Sequence, residues 1–370
     1  MGFSFKLGRI FGIDIKVHLT FLLIILWGAL FYGGSGGPLY GIIVTLSLFS
    51  LVLLHELGHS LAALAYGIPV RDIILLPIGG VARLERIPEK PVQELIVALA
   101  GPLVNVILAA ILLPIVIFLS LGQELTLSLT AVTQPGLRGL LTFLLVANIS
   151  LAIFNMIPAF PLDGGRVFRA VLGFFVDYQK ATKIAVQIGR LLAFGLGLYA
   201  IFTSQVWLAL IAFFIFIVGG QEAQAVKIRG LLRRVQAGQV MTRNSVALSP
   251  EATVAQLAPI VMSNGYQANF AVLDPVNGQL LGVTNGGRIA RALAHGERYR
   301  GVTEIMQHAR HIPVVGLTAT LDEVQTKLEE NSNRVAAVYD GLNFRGLVSV
   351  EDIQRVFQFL TRQGYATSTA

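Results

Sequence analysis

Two histidines four residues apart interrupt a long apolar run, which there reads His55-Glu56-Leu57-Gly58-His59. Positions i and i+4 lie on one face of a helix, so both imidazoles can bind the same metal ion. Glu56 follows the first histidine, where its carboxylate can take a proton from water held at that metal. Ionisable side chains are costly within an apolar run unless a partner compensates them. The pattern therefore predicts a metal-dependent hydrolytic centre, and a polar channel or proton path is the alternative.

A second candidate segment ends another apolar run and reads Asn155-Met156-Ile157-Pro158-Ala159-Phe160-Pro161-Leu162-Asp163-Gly164-Gly165-Arg166. Its two prolines break a helix, and its two glycines permit an unusual backbone. A catalytic zinc site takes three protein ligands, and Asp163 is the candidate for the third, with helix capping as its alternative role. The Asn155 amide can donate a hydrogen bond to a developing oxyanion, or equally join two membrane helices.

The elements that must position these residues are membrane helices. Hydrophobic residues make up 54% of the 370-residue chain and charged residues only 13%, whereas a soluble domain has roughly 25% charged residues. The deficit is concentrated in residues 1–226, and residues 227–370 resemble a soluble domain. This composition excludes a disordered protein and disfavours a soluble enzyme. The chain has no cysteine, which excludes a thiolate zinc site, a cysteine nucleophile and a disulfide framework.

Six apolar segments approach the length of about 20 residues that a membrane helix needs, namely residues 19–32, 40–66, 95–121, 140–157, 185–202 and 206–226. The loops after the first, third and fifth segments contain a single basic residue, Arg138. Because basic residues favour the cytosolic side, this asymmetry predicts six spans with the N- and C-termini in the cytosol. It also explains the net charge of +7 without a nucleic-acid partner. His55, His59 and Asp163 then lie at similar depths.

Two further stretches, residues 3–17 and 70–84, are predicted as strands or hairpins at the cytosolic membrane face. An open strand edge is not tolerated against lipid, so such strands must be shielded by protein or line a wet cavity. An edge in that cavity could accept another extended chain.

The motifs HELGH and NMIPAFPLDGGR resemble the site-2 protease family of intramembrane zinc metalloproteases, peptidase family M50. The most similar branch has six spans and a C-terminal tandem CBS module, and it includes the sporulation pro-sigma-factor protease. This resemblance implies that His55, His59 and Asp163 bind one Zn2+ ion per chain. It further implies that Glu56 is the general base and that Asn155 orients the substrate or the oxyanion.

Other residues match this family less specifically. Gly79 and Gly80 resemble its membrane-associated β segment beside the active site, which implies a role in substrate positioning. Residues 100–102 with Asn105 also resemble the family, although helix packing by small residues explains these positions better. His18 opens the first span, where a residue at the membrane interface is as good an explanation as a catalytic one.

Residues 240–360 contain an internal repeat of about 60 residues. Each copy is predicted to contain a short strand, an amphipathic helix, two strands and a closing helix, with the first four at 246–248, 253–263, 270–273 and 280–284 and again at 312–315, 320–331, 335–339 and 344–350. The repeat looks like two CBS motifs packed as a pair. The predicted domains are a transmembrane metalloprotease at 1–228, a linker at 229–239, and CBS motifs at 240–298 and 299–370, the second with a C-terminal tail. The predicted fold is therefore an α-helical multi-pass membrane protein with membrane-associated strands, followed by an α/β tandem CBS module.

CBS modules often bind adenine nucleotides in the cleft between the motifs. The second copy carries Gly346-Leu347-Val348-Ser349-Val350-Glu351-Asp352, in which Ser349 could meet a phosphate and Asp352 the ribose hydroxyls. Residues 282–288 of the first copy lack the aspartate, so ATP, ADP or AMP is expected at one site. The alternatives are that Asp352 caps the last helix and that the module only dimerises.

These features predict an intramembrane zinc metalloendopeptidase that hydrolyses a peptide bond in or near a transmembrane segment. The resemblance implies a single-span substrate of the anti-sigma or pro-sigma factor type, a location in the cell membrane, regulation by adenine nucleotide and a homodimer formed through the CBS modules. A CBS-gated transporter is one alternative, but it predicts paired broken helices, and only residues 158–161 clearly break one. An inactive membrane scaffold is another, but it predicts the loss of Glu56 or of a ligand.

Overall fold

The computed structural model describes residues 4–32, 36–77, 79–84, 88–121, 127, 129–242 and 247–367. The chain divides into two compact units, Met1–Ala225 and Val226–Ala370. The first unit consists of long apolar helices with one small sheet, and the second is an α/β module with two sheets.

Helices α1 to α7 cover Phe21–Phe31, Gly37–Ala65, Pro91–Leu119, Leu137–Asn155, Asp163–Leu172, Tyr178–Phe202 and Val206–Leu232, and a 3-10 turn covers Leu129–Thr133. Within the described residues, five helices are long and apolar enough to cross a membrane, namely α2, α3, α4, α6 and α7. Their outward faces carry exposed large apolar side chains such as Phe118, Phe202 and Trp207, as expected for contact with lipid. The chain is therefore a multi-pass membrane protein.

One sheet joins two distant hairpins, in the order β1 (Ser4–Ile10), β2 (Ile13–His18), β3 (Val70–Leu76) and β4 (Gly79–Leu84). Each hairpin is antiparallel, and β2 pairs with β3 in parallel. Ile13, Ile15 and Ile73 face a buried core that includes Leu57 of α2. The predicted strands are thus confirmed, except that residue 3 lies outside the described residues.

A buried carboxylate fastens the two hairpins together. Asp72 of β3 has no exposed surface, and it accepts hydrogen bonds from Lys16 Nζ at 2.6 Å and from the Arg83 guanidinium. Burial alone would raise the pKa of Asp72, but the hydrogen bonds from Arg83 and Lys16 outweigh it and hold the pKa below its usual range. The sheet is therefore a fixed platform, with β4 at its edge beside α2.

The first predicted span corresponds to α1, which is shorter than expected because Leu19 and Thr20 form the turn between β2 and the helix. Helix α1 has 11 residues, which is about 16 Å at the rise of an α-helix. The apolar core of a bilayer is about 30 Å thick. The number of six spans therefore stays a prediction.

In the second unit, helices α8 to α13 cover Ala237–Val240, Val254–Asn264, Gly286–Ala294, Val302–Ile305, Leu321–Glu330 and Val350–Thr367, and strands β5 to β11 cover Ala247–Leu248, Asn269–Leu273, Leu280–Asn285, Gln307–His308, Val314–Gly316, Val335–Asp340 and Asn343–Ser349. The strands form two sheets, in the orders β5-β6-β7-β8 and β11-β10-β9. Each sheet combines one parallel pair with an antiparallel hairpin, β6-β7 or β10-β11. Of the strand predicted at 246–248, residue 246 lies outside the described residues.

The first helix of each copy begins in the same way. Thr253 and Thr320 cap α9 and α12, and each forms a capping box with a residue three positions later, Gln256 or Glu323. The buried apolar residues then follow at matching offsets, Val254, Leu257 and Val261 in α9 and Leu321, Val324 and Leu328 in α12. The internal repeat predicted from the sequence is therefore a repeat of structure.

Candidate metal centre

The side chains of His55, His59 and Asp163 meet inside the N-terminal unit. Asp163 Oδ2 lies 3.2 Å from Nε2 of each imidazole, and the two Nε2 atoms are 3.1 Å apart. All three residues are buried, with at most 8% of their surface exposed. In the part of the chain that the structure describes, this is the one group of three or more candidate ligands that could hold a metal ion.

The outer nitrogen of each imidazole is held by helix α3. His59 Nδ1 lies 2.7 Å from the Val97 carbonyl oxygen, which can only accept, so Nδ1 carries the proton. His55 Nδ1 lies 2.5 Å from Asn105 Oδ1, and the amide of Asn105 is oriented by donating to Asn148 Oδ1 at 2.9 Å. His55 Nδ1 therefore carries a proton as well. These bonds assign the same tautomer to both rings and leave a lone pair on each Nε2.

Three acceptor atoms therefore converge at one point, two imidazole nitrogens and one carboxylate oxygen. Acceptors that face one another at about 3 Å are unfavourable in a buried site unless a cation lies among them. Two nitrogens and one carboxylate oxygen form a ligand set of catalytic zinc sites. These three ligand atoms, together with the hydrogen bonds behind the imidazoles, therefore fit a zinc ion.

The broken segment after α4 delivers Asp163 to the histidines. Helix α4 ends at Asn155, and α5 begins at Asp163. Leu162 rather than Asp163 occupies the N-cap position of α5, so the capping role considered for this aspartate is not the one it has.

Helix α3 packs closely against the second histidine, because a Cβ atom at Gly101 would collide with the His59 imidazole. Glycine at that position therefore lets α3 approach the ring.

Glu56 follows His55 on α2, and its side chain lies against the edge strand β4. Its Oε2 accepts a hydrogen bond from the Ala82 amide at 3.2 Å. A Cβ atom at Gly80 would lie 2.6 Å from Glu56 Cγ, so the strand passes directly against the side chain. Among the described strands, β4 pairs only with β3, and its Ala82 N–H is bonded to Glu56. Glu56 therefore contacts the unpaired side of β4. Gly79 is the first residue of this strand.

The remaining predicted residues stand apart from the side chains of His55, His59 and Asp163. Asn155 is half-buried at the end of α4, and within the described residues no hydrogen bond joins its amide to His55, His59 or Asp163. His18 is the half-buried last residue of β2, and its Nδ1 bonds locally to Thr20 Oγ1 at 2.8 Å. A role for His18 at the turn into α1 is sufficient to explain this contact.

Two asparagines behind His55 were not predicted as part of this site, and Asn148 was not singled out from the sequence at all. Asn105 and Asn148 have no exposed surface, and they form a chain of hydrogen bonds that ends on His55. Helix packing by small residues was the favoured explanation for Asn105. The available signal was the pair of amides within apolar helices, because a buried amide requires a hydrogen-bond partner.

Ser349 and Asp352 lie in the C-terminal unit, beside a cleft of about 350 Å³. Ser349 Oγ donates to Asp352 Oδ2 at 2.7 Å, and the backbone amides of Ser349 and Asp352 complete a reciprocal pair of bonds at the start of α13. Arg355 also pairs with Asp352. The cleft is lined further by polar side chains, including Thr242, Asn264, Gln267, Asn269 and Glu351. Capping of α13 is therefore an observed role of both predicted residues.

Comparison with known proteins finds one family match in the N-terminal part of the chain and another in the C-terminal part. The model of peptidase family M50 matches residues 43–196, and that of the CBS domain matches residues 237–295 and 302–358. A zinc metalloprotease of Methanocaldococcus jannaschii is 32% identical over 362 residues, which cover 97% of this chain and 98% of that protein. Stage IV sporulation protein FB of Bacillus subtilis is 27% identical over 173 residues, 46% of this chain and 55% of that protein.

Among solved structures, the site-2 protease from Methanocaldococcus jannaschii is 36% identical and matches with a TM-score of 0.45, over 60% of this chain and 95% of that one. The near full-length relative and the two domain matches settle the family. The chain belongs to peptidase family M50, the site-2 proteases, and it is a membrane zinc metalloprotease with a C-terminal pair of CBS domains.

Proposed function

We propose that this chain is an intramembrane endopeptidase that cleaves a membrane protein in or near a transmembrane segment, with His55, His59 and Asp163 as the ligands of its zinc ion. The observation that supports this most strongly is the convergence of three acceptor atoms beside Glu56, within helices that are otherwise apolar. Zinc at this position would polarise the scissile carbonyl group and lower the pKa of water. Each imidazole keeps its Nε2 directed at this point because its Nδ1 proton is bonded to α3.

Glu56 acts as the general base. It takes a proton from the attacking water and later gives it to the nitrogen of the broken C–N bond, so that a carboxylic acid and an amine leave. The hydrogen bond from the Ala82 amide keeps the Glu56 carboxylate between α2 and β4. Asn155 donates a hydrogen bond to the substrate carbonyl oxygen as negative charge develops on it.

The unpaired side of β4 holds the substrate. A peptide bond inside a helix is covered by its own hydrogen bonds, so cleavage requires local unwinding. An unwound segment could add to β4 through main-chain hydrogen bonds, with Gly79 and Gly80 allowing close approach. Segments with helix-weakening residues should therefore be preferred. Equal cleavage of Gly or Pro variants and Leu variants of one substrate would contradict this preference.

The substrate class is a single-span membrane protein of the anti-sigma or pro-sigma factor type. The resemblance of the HELGH and NMIPAFPLDGGR motifs to a branch that includes the sporulation pro-sigma-factor protease supports this class. We place the chain in the cell membrane with both termini in the cytosol, because the basic residues cluster on that side. The protease domain then covers residues 1–228, followed by a linker at 229–239 and CBS motifs at 240–298 and 299–370.

The CBS module regulates the protease by binding adenine nucleotide in the cleft beside Ser349 and Asp352, and it joins two chains as a homodimer. The polar lining of the cleft supports a polar ligand. Calorimetry of the full chain with ATP, ADP and AMP would test this role. An absence of heat with all three nucleotides would favour a module that only dimerises.

The cleavage reaction is tested with the full chain and a single-span substrate in vesicles. Removal of metal by a chelator should abolish cleavage, and added zinc should restore it, with the cut located by mass spectrometry in or next to the span. Cleavage that survives complete metal removal would contradict the proposed reaction. Cuts confined to regions far from the membrane would contradict the proposed substrate segment.

A further inference from the structure

Arg169 is a cation enclosed within the membrane unit. It lies in the last turn of α5 and has 1% of its surface exposed. Removing a guanidinium from water is costly unless nearby groups compensate its charge. A buried arginine in the helix that begins with Asp163 therefore requires an explanation.

Two carboxylates from other helices compensate this charge. Arg169 Nε donates to Glu94 Oε1 at 2.7 Å, and Arg169 Nη1 donates to Glu222 Oε1 at 2.7 Å. The rings of Phe160 and Tyr178 cover the guanidinium at 4.8 and 4.7 Å. Arg169 thus bridges α3 and α7 from α5, and its planar fork can do so because it donates in two directions at once.

The position of Glu94 connects this bridge to the metal centre. Glu94 lies in the first turn of α3, three residues before Val97, whose carbonyl oxygen accepts from His59. The same helix holds His55 through Asn105. The ion pair of Arg169 with Glu94 therefore joins the helix that orients both histidines to the helix that carries the carboxylate.

Stability alone is a weak reason for such a bridge. Replacing a buried ion pair by apolar residues of similar volume is often neutral or stabilising. What a directional bridge supplies is a fixed separation between two helices. Substitution of a residue that holds a metal ligand in place typically lowers metal affinity by 10- to 100-fold.

We propose that Arg169 is a positioning residue of the metal centre. By bridging Glu94 and Glu222, it sets α5, and with it Asp163, at the distance from His55 and His59 that one metal ion requires. This inference rests on the zinc site proposed above, and it adds the group that controls how tightly the site closes.

The decisive variant removes the bridge without leaving buried charges unpaired. It combines Arg169→Met with Glu94→Gln and Glu222→Gln, so that a loss of affinity reflects position rather than uncompensated charge. Arg169→Lys is the second variant, because it keeps the charge but cannot bond both carboxylates along the same directions. Arg190→Gln is the matched control, since Arg190 of α6 lies over the Phe216 ring at 5.2 Å and belongs to neither metal-ligand helix.

The readouts are the zinc dissociation constant of the purified full chain, measured by chelator competition, and the visible absorption of the Co2+-substituted protein. The triple variant should bind zinc about tenfold more weakly, with an altered cobalt spectrum, and Arg169→Lys should fall between it and the wild type. Arg190→Gln should match the wild type in both measurements.

The inference is overturned if the triple variant, or Arg169→Lys where the triple variant does not fold, has the wild-type zinc affinity and cobalt spectrum. It is also overturned if Arg190→Gln lowers zinc affinity as much as they do, since the effect would then be general. Failure of the wild type itself to bind zinc would instead contradict the proposed metal site. The two failures are therefore distinguishable.

Discussion

The metal centre and the CBS cleft treat their polar residues in opposite ways. At the metal centre, the inward atoms of His55, His59 and Asp163 face one another, and their outer bonds are made to α3. At the CBS cleft, Ser349 and Asp352 satisfy each other within one turn of α13. The first arrangement is incomplete without a cation, whereas the second is complete as it stands.

This difference separates motif residues whose arrangement implies a ligand from motif residues whose contacts the fold alone explains. Residues from distant segments that converge without satisfying one another indicate a ligand. Residues that cap a helix locally have a sufficient structural reason to be present, and a ligand there must be shown separately.

The largest effect is expected from Glu56→Gln. Loss of the proposed general base should lower kcat by about 10²- to 10⁴-fold. Zinc content should not change, because Glu56 is not a member of the ligand group. The measurement is cleavage of a single-span substrate together with metal analysis. Wild-type cleavage by a zinc-loaded variant would remove Glu56 from the reaction.

A smaller effect is expected from Gly80→Ala on β4. The added Cβ atom would lie 2.6 Å from Glu56 Cγ, so the carboxylate must shift. A displacement of about 1 Å in an active site can reduce the rate by up to roughly 10²-fold. Cleavage should fall while zinc affinity stays at the wild-type value. Val81→Ala is the neighbouring control, and equal cleavage by both variants would separate β4 from the active site.

Removal of the hydrogen bond behind His55 should act on the metal rather than on the base. Asn105→Ala leaves His55 Nδ1 without its acceptor, and zinc affinity should fall by about tenfold. Asn148→Ala should have a smaller effect, because it removes only the group that orients Asn105. Chelator competition measures both. An Asn148 effect larger than that of Asn105 would contradict this order.

The smallest effect is expected in the CBS module, where capping is compared in the two copies. Ser349→Ala and Asn285→Ala each remove the cap of a closing helix, α13 or α10. Each should lower the free energy of unfolding by about 1 kcal/mol, seen as a thermal shift of a few degrees. If Ser349 also binds nucleotide, calorimetry should show weaker binding only for Ser349→Ala. Identical nucleotide binding by both variants would leave Ser349 with capping alone.

The sequence predicted the long helices and the repeated strands because both depend on local periodicity. It did not predict α5, since two glycines at its start disfavour a helix, and the contacts of Arg169 with α3 and α7 come from distant parts of the chain. The parallel pairing of β2 with β3 was also missed, because hydrophobic alternation does not say which distant strand is the neighbour.

The three candidate ligands of the site, which the structure brings together, were predictable from the sequence. His55 and His59 follow from helical spacing, and Asp163 from its unusual segment. Their outer partners were not predictable, because Val97 contributes a main-chain carbonyl, which no residue type reveals. The fit of Gly80 against Glu56 likewise depends on how β4 packs on α2, which spacing does not encode.

If the three buried acceptors hold one zinc ion, the purified full chain should contain zinc, and mass spectrometry measures this content. Asp163→Asn is the informative variant, because it is nearly isosteric but removes the carboxylate that faces both imidazoles. We expect one zinc per chain in the wild type and in Glu56→Gln, and almost none in Asp163→Asn. A wild type without zinc, or an Asp163→Asn variant that keeps a full complement, would contradict it.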